Sequence, residues 1–281
     1  MLKLKFDLGE LLYYNDYIMK YVVLTGAYGG MGKAVLNKLK SEGFFVFALD
    51  KNVGEAEENV CPIQVDLTDQ NSVICAFEKV KTITDDIYAI LHFAGIYALD
   101  SLVEMDESTF IKAFNVNLFS VYRVNKTFIP LLKNGSKIFI TTSELAPLSP
   151  LPFTGLYAIT KSALDKYAYS LRMEVQLLGI QVVVLRPGAV DTGMINVSTE
   201  QLDRFCSNSK LYSCNAKRFK KIVDSVEAKN ISPEKIATKT VKIIKKKRTK
   251  HVYSINRNKL LLLLNVLPKK LQTKIIKMIL S

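Results

Sequence analysis

Tyr157 and Lys161 stand four positions apart, and Ser143 lies 14 positions before Tyr157, just after the apolar run Ile138-Phe139-Ile140. On a helix, a spacing of four puts the phenol and the ammonium on one face, one turn apart. A phenol ordinarily titrates near pH ~10, so it exchanges protons near neutrality only where something stabilises its anion; a neighbouring cation does this. Tyr157 therefore reads as a general acid/base with Lys161 lowering its pKa. A hydroxyl from Ser143, at a strand end, is suited to hydrogen-bond the same substrate oxygen and hold it in line with the phenol.

The elements that must position this trio are legible upstream. Tyr21-Val22-Val23-Leu24 has the pattern of a short buried strand and runs into Thr25-Gly26-Ala27-Tyr28-Gly29-Gly30-Met31-Gly32, followed by an amphipathic segment from Lys33 to Glu42. Glycines at 26, 30 and 32 permit a tight turn and let backbone N–H groups and a helix N-terminus approach a diphosphate. Strand, glycine turn and helix in that order predict a dinucleotide site. Hydrophobic segments at Tyr21, Phe45, Val60, Ala89, Ile138, Gln181 and Val252 alternate with helical patterns, which predicts a doubly wound α/β fold with seven parallel strands and helices on both faces. The clearest later helix, Tyr157 to Leu178, carries Ala163, Leu164, Tyr167, Leu171, Val175 and Leu178 as a core or subunit-contact stripe and closes at Gly179.

Taken together, Thr-Gly-x-x-x-Gly-x-Gly near the start and Ser143, Tyr157 and Lys161 in the second half resemble the short-chain dehydrogenase/reductase family. Asn117, in Phe114-Asn115-Val116-Asn117-Leu118, matches the family's fourth catalytic position, on the helix between the fourth and fifth strands. Asp66, in Val65-Asp66-Leu67-Thr68-Asp69, matches the acidic residue at the adenine ring. Arg186-Pro187-Gly188-Ala189-Val190-Asp191-Thr192 matches the segment that holds the nicotinamide carboxamide. The resemblance runs from about Lys20 to Tyr253. It implies an oxidoreductase acting on a secondary alcohol or ketone, with Asn117, Ser143, Tyr157 and Lys161 catalytic and Asn117 supporting a proton relay through water. It also implies cofactor contacts from Gly26, Gly30, Met31, Gly32, Asp50, Asp66, Leu67, Ala94, Gly95, Pro187, Gly188, Val190 and Thr192, shared with Tyr157 and Lys161, and a homo-oligomer, dimer or tetramer. One departure stands out: His92-Phe93-Ala94-Gly95 replaces the usual Asn-Asn-Ala-Gly. His92, beside a buried strand, is expected to be a hydrogen-bonded structural residue.

Asp50 ends the second strand 24 positions after Gly26. A carboxylate there accepts from ribose hydroxyls and repels a 2′-phosphate, which favours NAD over NADP. Lys51 reads as a solvated lysine, with accommodation of a phosphate as the alternative. The stretch from Pro150 to Tyr157, continued by Ser170-Leu171-Arg172-Met173-Glu174, resembles the retinol and 17β-hydroxysteroid branch, whose members act on lipophilic alcohols. Leu145, Leu148, Phe153, Met194 and Ile195 are expected to line an apolar pocket, and residues 192–230 to form a substrate loop with short helices.

At 281 residues the chain is long enough for one large domain with a full core. The expected divisions are an N-terminal extension over residues 1–18, a catalytic domain over 19–257 and a basic helical tail over 258–281. Residues 1–18 carry Asp7, Glu10 and Asp16 and no long apolar run, so they do not read as a secretory signal, and Met19 is an alternative start. Four cysteines without close pairing and two histidines make a metal site unexpected and point to a reducing, cytoplasmic setting.

The charge is concentrated at one end. From Pro233 onward, fourteen basic residues face the single acid Glu234, a difference equal to the +13 of the whole chain. Leu260 to Leu264 form a leucine run, and Leu271, Ile275, Ile276, Ile279 and Leu280 line one helical face opposite lysines. That pattern suits a helix on an anionic membrane surface, and equally a lid over the pocket or a dimer contact. The run Lys245-Lys246-Lys247-Arg248 lacks interleaved aromatics, so nucleic acid is not an expected partner. An enzyme and a cofactor-sensing scaffold that has dropped the chemistry are separated by Tyr157 and Lys161. Both remain, which favours the enzyme.

Overall fold

Apolar segments form the sheet, the central ones fully buried: β1 (Lys20–Thr25), β2 (Phe44–Asp50), β3 (Val60–Gln64), β4 (Ile87–His92), β5 (Leu132–Thr141), β6 (Gln181–Pro187) and β7 (Val252–Ile255). The computed structural model describes residues 19–227 and 230–281, and side chains except those of 193–199 and 224–227; the extension over residues 1–18 and the side chains of Met194 and Ile195 lie outside the described residues. Every pairing is parallel, in the order β3-β2-β1-β4-β5-β6-β7. Val22 to Leu24 and Ile138 to Ile140 are fully buried without alternation, because helices cover both faces.

On one face α1 (Gly30–Ser41) and α8 (Pro233–Ile244) pack over Val22, Leu24, Val46 and Leu91. On the other, α2 (Gln70–Lys81), α4 (Ser120–Phe128) and α5 (Gly155–Val175) pack over Val23, Phe47, Ile90 and Ile138. Between α2 and α4 lies α3 (Glu107–Phe114), which runs into a π-helical turn, Asn115–Phe119. The chain moves outward from β1 to β3 and then crosses back to β4. The β1/β4 boundary is thus the switch point at which such sheets open a crevice.

The seven-stranded, doubly wound sheet is as expected, but two details differ. Residues 193–227 form two substantial helices, α6 (Gly193–Asn208) and α7 (Ser213–Glu227), in place of a loop with short helices. The reason is a separate apolar cluster: Leu202, Phe205, Ala216 and Phe219 are buried against Leu99, Phe153 and Leu280. Leu178 leaves its stripe and is exposed, since the end of the helix tightens into a 3₁₀ turn at Gln176–Leu178 before Gly179 at φ 75°. The tail, α9 (Lys259–Val266) and α10 (Lys269–Leu280), packs on its own protein: Ser149 N donates to Asn265 Oδ1 at 2.7 Å, and Asn215 Nδ2 and Arg218 donate to the Leu280 carbonyl at 2.7 and 3.2 Å. No helix among the described residues is long and apolar enough to cross a membrane.

Candidate active site

Ser143 follows the end of β5, where neighbouring backbone groups hold it against β6: Thr142 N donates to Leu185 O and Glu144 N to Pro187 O, each at 2.9 Å. Tyr157 sits in the first turn of α5, and Lys161 one turn later. Gly155, which opens α5, lies where a Cβ would come within 2.9 Å of Leu102. The Tyr157 ring packs on Tyr97 with centroids 4.8 Å apart, and Ser143 and Tyr157 line the same cavity. Lys161 Nζ lies 5.7 Å from the Tyr157 ring centroid and donates to the Thr141 carbonyl at 3.2 Å. A further turn on, Asp165 makes a two-pronged ion pair with Arg186, at 2.9 and 2.6 Å, which ties α5 to β6 and so fixes Tyr157 relative to Ser143.

Burial raises the Tyr157 phenol to about 12, against a lowering hydrogen bond from Ser143, and lowers Lys161 to about 8. This differs from the expectation that Lys161 lowers the phenol. Its hydrogen bond goes to the Thr141 carbonyl, and desolvation dominates both groups. At neutral pH the pair is therefore a neutral phenol beside an ammonium, a proton donor with a cation at hand.

Asn117 is fully buried and lies behind the cavity rather than in its wall. Its Oδ1 accepts from Ile96 N at 2.8 Å, while Nδ2 donates to Ile96 O and Thr160 Oγ1, each at 3.0 Å. The π-helical turn carries it to that position. Such wide turns recur at functional sites. Asn117 thus clamps the loop after β4 to α5.

Three glycines of the turn have no room for a Cβ. A Cβ on Gly32 would lie 1.8 Å from Gly26 O; on Gly26, at φ +67°, it would lie 2.5 Å from Ala94 N; on Gly30, 2.5 Å from Thr192 Cβ. Gly29 caps α1 with no side-chain hydrogen bond, and no acid occupies its first turn, so the helix N-terminus presents its amides to an anion. Asp50 Oδ2 accepts from Tyr28 N at 2.9 Å and Oδ1 from Lys51 N at 2.7 Å, which aims the carboxylate beside the turn. Asp66, held below the usual carboxylate range chiefly by hydrogen bonds from Thr68, pairs with Lys51 at 3.3 Å; Leu67 packs its side chain on the core. These residues fit a dinucleotide.

The glycine turn leads to a cavity of about 310 Å³ whose lining includes Met31, Gly95, Ser143, Tyr157, Lys161, Pro187, Gly188, Val190 and Thr192. Asp50, Asp66, Ala94 and the three glycines lie outside it. Leu145 lines the wall as expected, but Leu148 and Phe153 do not; Phe153 turns into the cluster of Phe205, Tyr212 and Phe219, and Leu151, Ile222, Leu260 and Leu261 take the apolar role. His92 is buried, with Nε2 2.8 Å from Asn125 Oδ1, and burial lowers it to about 4, so it is a neutral structural residue. Sequence reasoning missed Glu144, Asp165 and Thr160. Only Asp165 gave a signal, by standing four after Lys161.

A model of the short-chain dehydrogenase family matches residues 20–203. The chain belongs to that family. Mouse estradiol 17-beta-dehydrogenase 2 is 32% identical over 189 residues, 62% of this chain and 49% of that protein, so the match spans about half of that relative's length. A probable short-chain type dehydrogenase/reductase from Helicobacter pylori, VdlC, is 27% identical over 254 residues, 88% of this chain and 92% of its own. The expected likeness to the hydroxysteroid branch is met by the mouse match. In fold, a short-chain dehydrogenase family protein from Francisella tularensis superposes with a TM-score of 0.70 at 23% identity, over 84% of this chain and 97% of that one.

Proposed function

We propose that this protein transfers a hydride between NAD and the carbon of a secondary alcohol or ketone on a lipophilic molecule of steroid, retinoid or fatty type. The observation that carries the reading is the convergence of Ser143, Tyr157 and Lys161 on one apolar cavity beside an open helix N-terminus. Bound nicotinamide would supply the hydride donor or acceptor, with Gly26, Gly30, Gly32 and Thr192 around its diphosphate and carboxamide ends. Ser143 holds the substrate oxygen, Tyr157 gives or takes its proton, and Lys161, anchored on the Thr141 carbonyl, keeps a cation in the same cavity. Asn117 keeps the cavity floor in place. Asp50 supports NAD over NADP, because its carboxylate repels a 2′-phosphate.

The chain acts in this reading as a cytoplasmic homo-oligomer with its catalytic domain over 19–257 and a membrane-peripheral tail over 258–281. Leu263 and Val266 on α9 and Met278 and Ile279 on α10 are exposed among Lys259, Lys269, Lys270 and Lys274, a combination suited to an anionic bilayer. The test is a screen of NAD and NADP reduction with lipophilic and small alcohols, and of the reverse reaction with ketones. Turnover of apolar secondary alcohols with NAD supports the reading; cofactor binding with no turnover of any alcohol or ketone refutes it. Flotation with anionic and neutral vesicles tests the tail.

A further inference from the structure

Glu144 stands beside Ser143, is buried, and lines the cavity. Its Oε2 accepts the Asn258 backbone N–H at 2.6 Å. Its Oε1 approaches Gly188 so closely that a Cβ there would lie 2.9 Å away. Asn258 is the N-cap of α9, and its Oδ1 accepts from Leu260 N at 2.9 Å and Leu261 N at 3.2 Å. Leu260 and Leu261 in turn line the cavity. A relay of hydrogen bonds therefore runs from the residue next to the catalytic serine, through the cap, to the apolar roof. Asn256, two residues before the cap, donates to the Ala189 carbonyl at 2.8 Å, so the root of α9 is also fixed to the strip that follows β6. A buried carboxylate is unfavourable unless its hydrogen bonds offset lost hydration, and here the hydrogen bond that Glu144 accepts comes from the root of α9.

We propose that Glu144 is a positioning residue that fastens the root of α9 beside Ser143, so that Leu260 and Leu261 roof the cavity and set the affinity for a bulky apolar substrate. The proposal rests on the oxidoreductase reading above. It gives the tail a specificity role in the reaction through one carboxylate. Burial raises the Glu144 pKa while the Asn258 N–H and Arg257 lower it, in keeping with a carboxylate whose contacts are to the tail.

The experiment compares the full chain with Glu144→Ala, Glu144→Gln, Asn258→Ala and the double variant Glu144→Ala/Asn258→Ala. Hydrogen exchange over residues 258–262 and tryptic cleavage after Arg257 and Lys259 are read first, because neither depends on turnover. Loss of a charge-assisted bond in Glu144→Ala should speed both by about ten-fold. KM for an apolar secondary alcohol should rise by about ten-fold, while that for a small water-soluble alcohol changes by less than about two-fold. Glu144→Gln, whose amide oxygen still accepts, should recover most of both effects, and the double variant should add little to either single change. Unchanged exchange and cleavage in Glu144→Ala and Asn258→Ala, or KM values that rise equally for both alcohols, would overturn the proposal. Faster exchange in a protein that oxidises no alcohol would count against the enzymatic reading and leave the fastening in place.

Discussion

The groove at the β1/β4 boundary and the roof over Ser143 are built in opposite ways. Backbone makes the groove: glycines at 26, 30 and 32 leave no space for a Cβ, and the Asp50 carboxylate is held on the Tyr28 and Lys51 amides. Side chains from distant segments make the roof: Glu144 reaches Asn258, Ser149 meets Asn265, and Asn215 holds the Leu280 carbonyl. Beneath it lies an aromatic cluster of Phe153, Phe205, Tyr212 and Phe219 instead of sheet. The groove tolerates tenths of an ångström and serves a ligand of fixed shape. The roof can be rearranged one side chain at a time, which suits the end of the site where substrates differ.

The sharpest break between the two regions is Tyr157→Phe. It keeps the ring packed on Tyr97 and the groove intact while removing the proton, so turnover at saturating cofactor should fall on the order of 10²–10⁴ with cofactor affinity little changed. Retention of most activity would remove Tyr157 from the chemistry. Next in size, Phe219→Ala removes a fully buried ring from the roof cluster and should cost about 3–5 kcal/mol in denaturant unfolding. A loss confined to an early partial transition would show that the roof unfolds apart from the sheet.

His92 probes the sheet beside the groove. Its folded pKa of about 4 lies below the ordinary 6.5, so as pH falls through that window the unfolded chain takes up a proton that the folded chain refuses. Stability should therefore decline between pH 6.5 and 4, by about 3 kcal/mol from this group. His92→Asn should flatten that part of the profile, and an unchanged acid slope would exclude His92 as its source. Smallest is Asp50→Ala. Removing the carboxylate should shift kcat/KM toward NADP by about ten-fold relative to NAD, and a wild-type preference for NADP would contradict the assignment outright.

What could be read from the sequence divides along the same line. The strand, turn and helix from Lys20 to Ser41 are local, and Gly32 answers to Gly26 a few residues away, whereas Gly26 and Gly30 answer to the remote Ala94 and Thr192. The Tyr157 and Lys161 pair is one helical turn. By contrast, the bonds from Glu144 to Asn258 and from Asn215 to Leu280 join residues with no shared period, so nothing in the spacing announces them. Phe153 was expected in the pocket because it is apolar and near Tyr157; its φ of 66° and the ring cluster beside it send it elsewhere. The phenol's rise to about 12 was also invisible, since spacing supplies the cation but not the desolvation.

The wide turn at Asn115–Phe119 has a consequence for how this chain can change over time. Deleting one residue from it would restore an ordinary α-helix from Glu107 to Phe128 and rotate everything on one side by about 100° relative to the other. Asn117 would leave Ile96 and Thr160, or Val121, Val124 and Phe128 would leave the core. A gap here is thus closed to gradual repair by single substitutions, so the turn behaves as an inherited unit. Its length and the Asn117 side chain are thus the two features of the turn that the surrounding packing holds fixed.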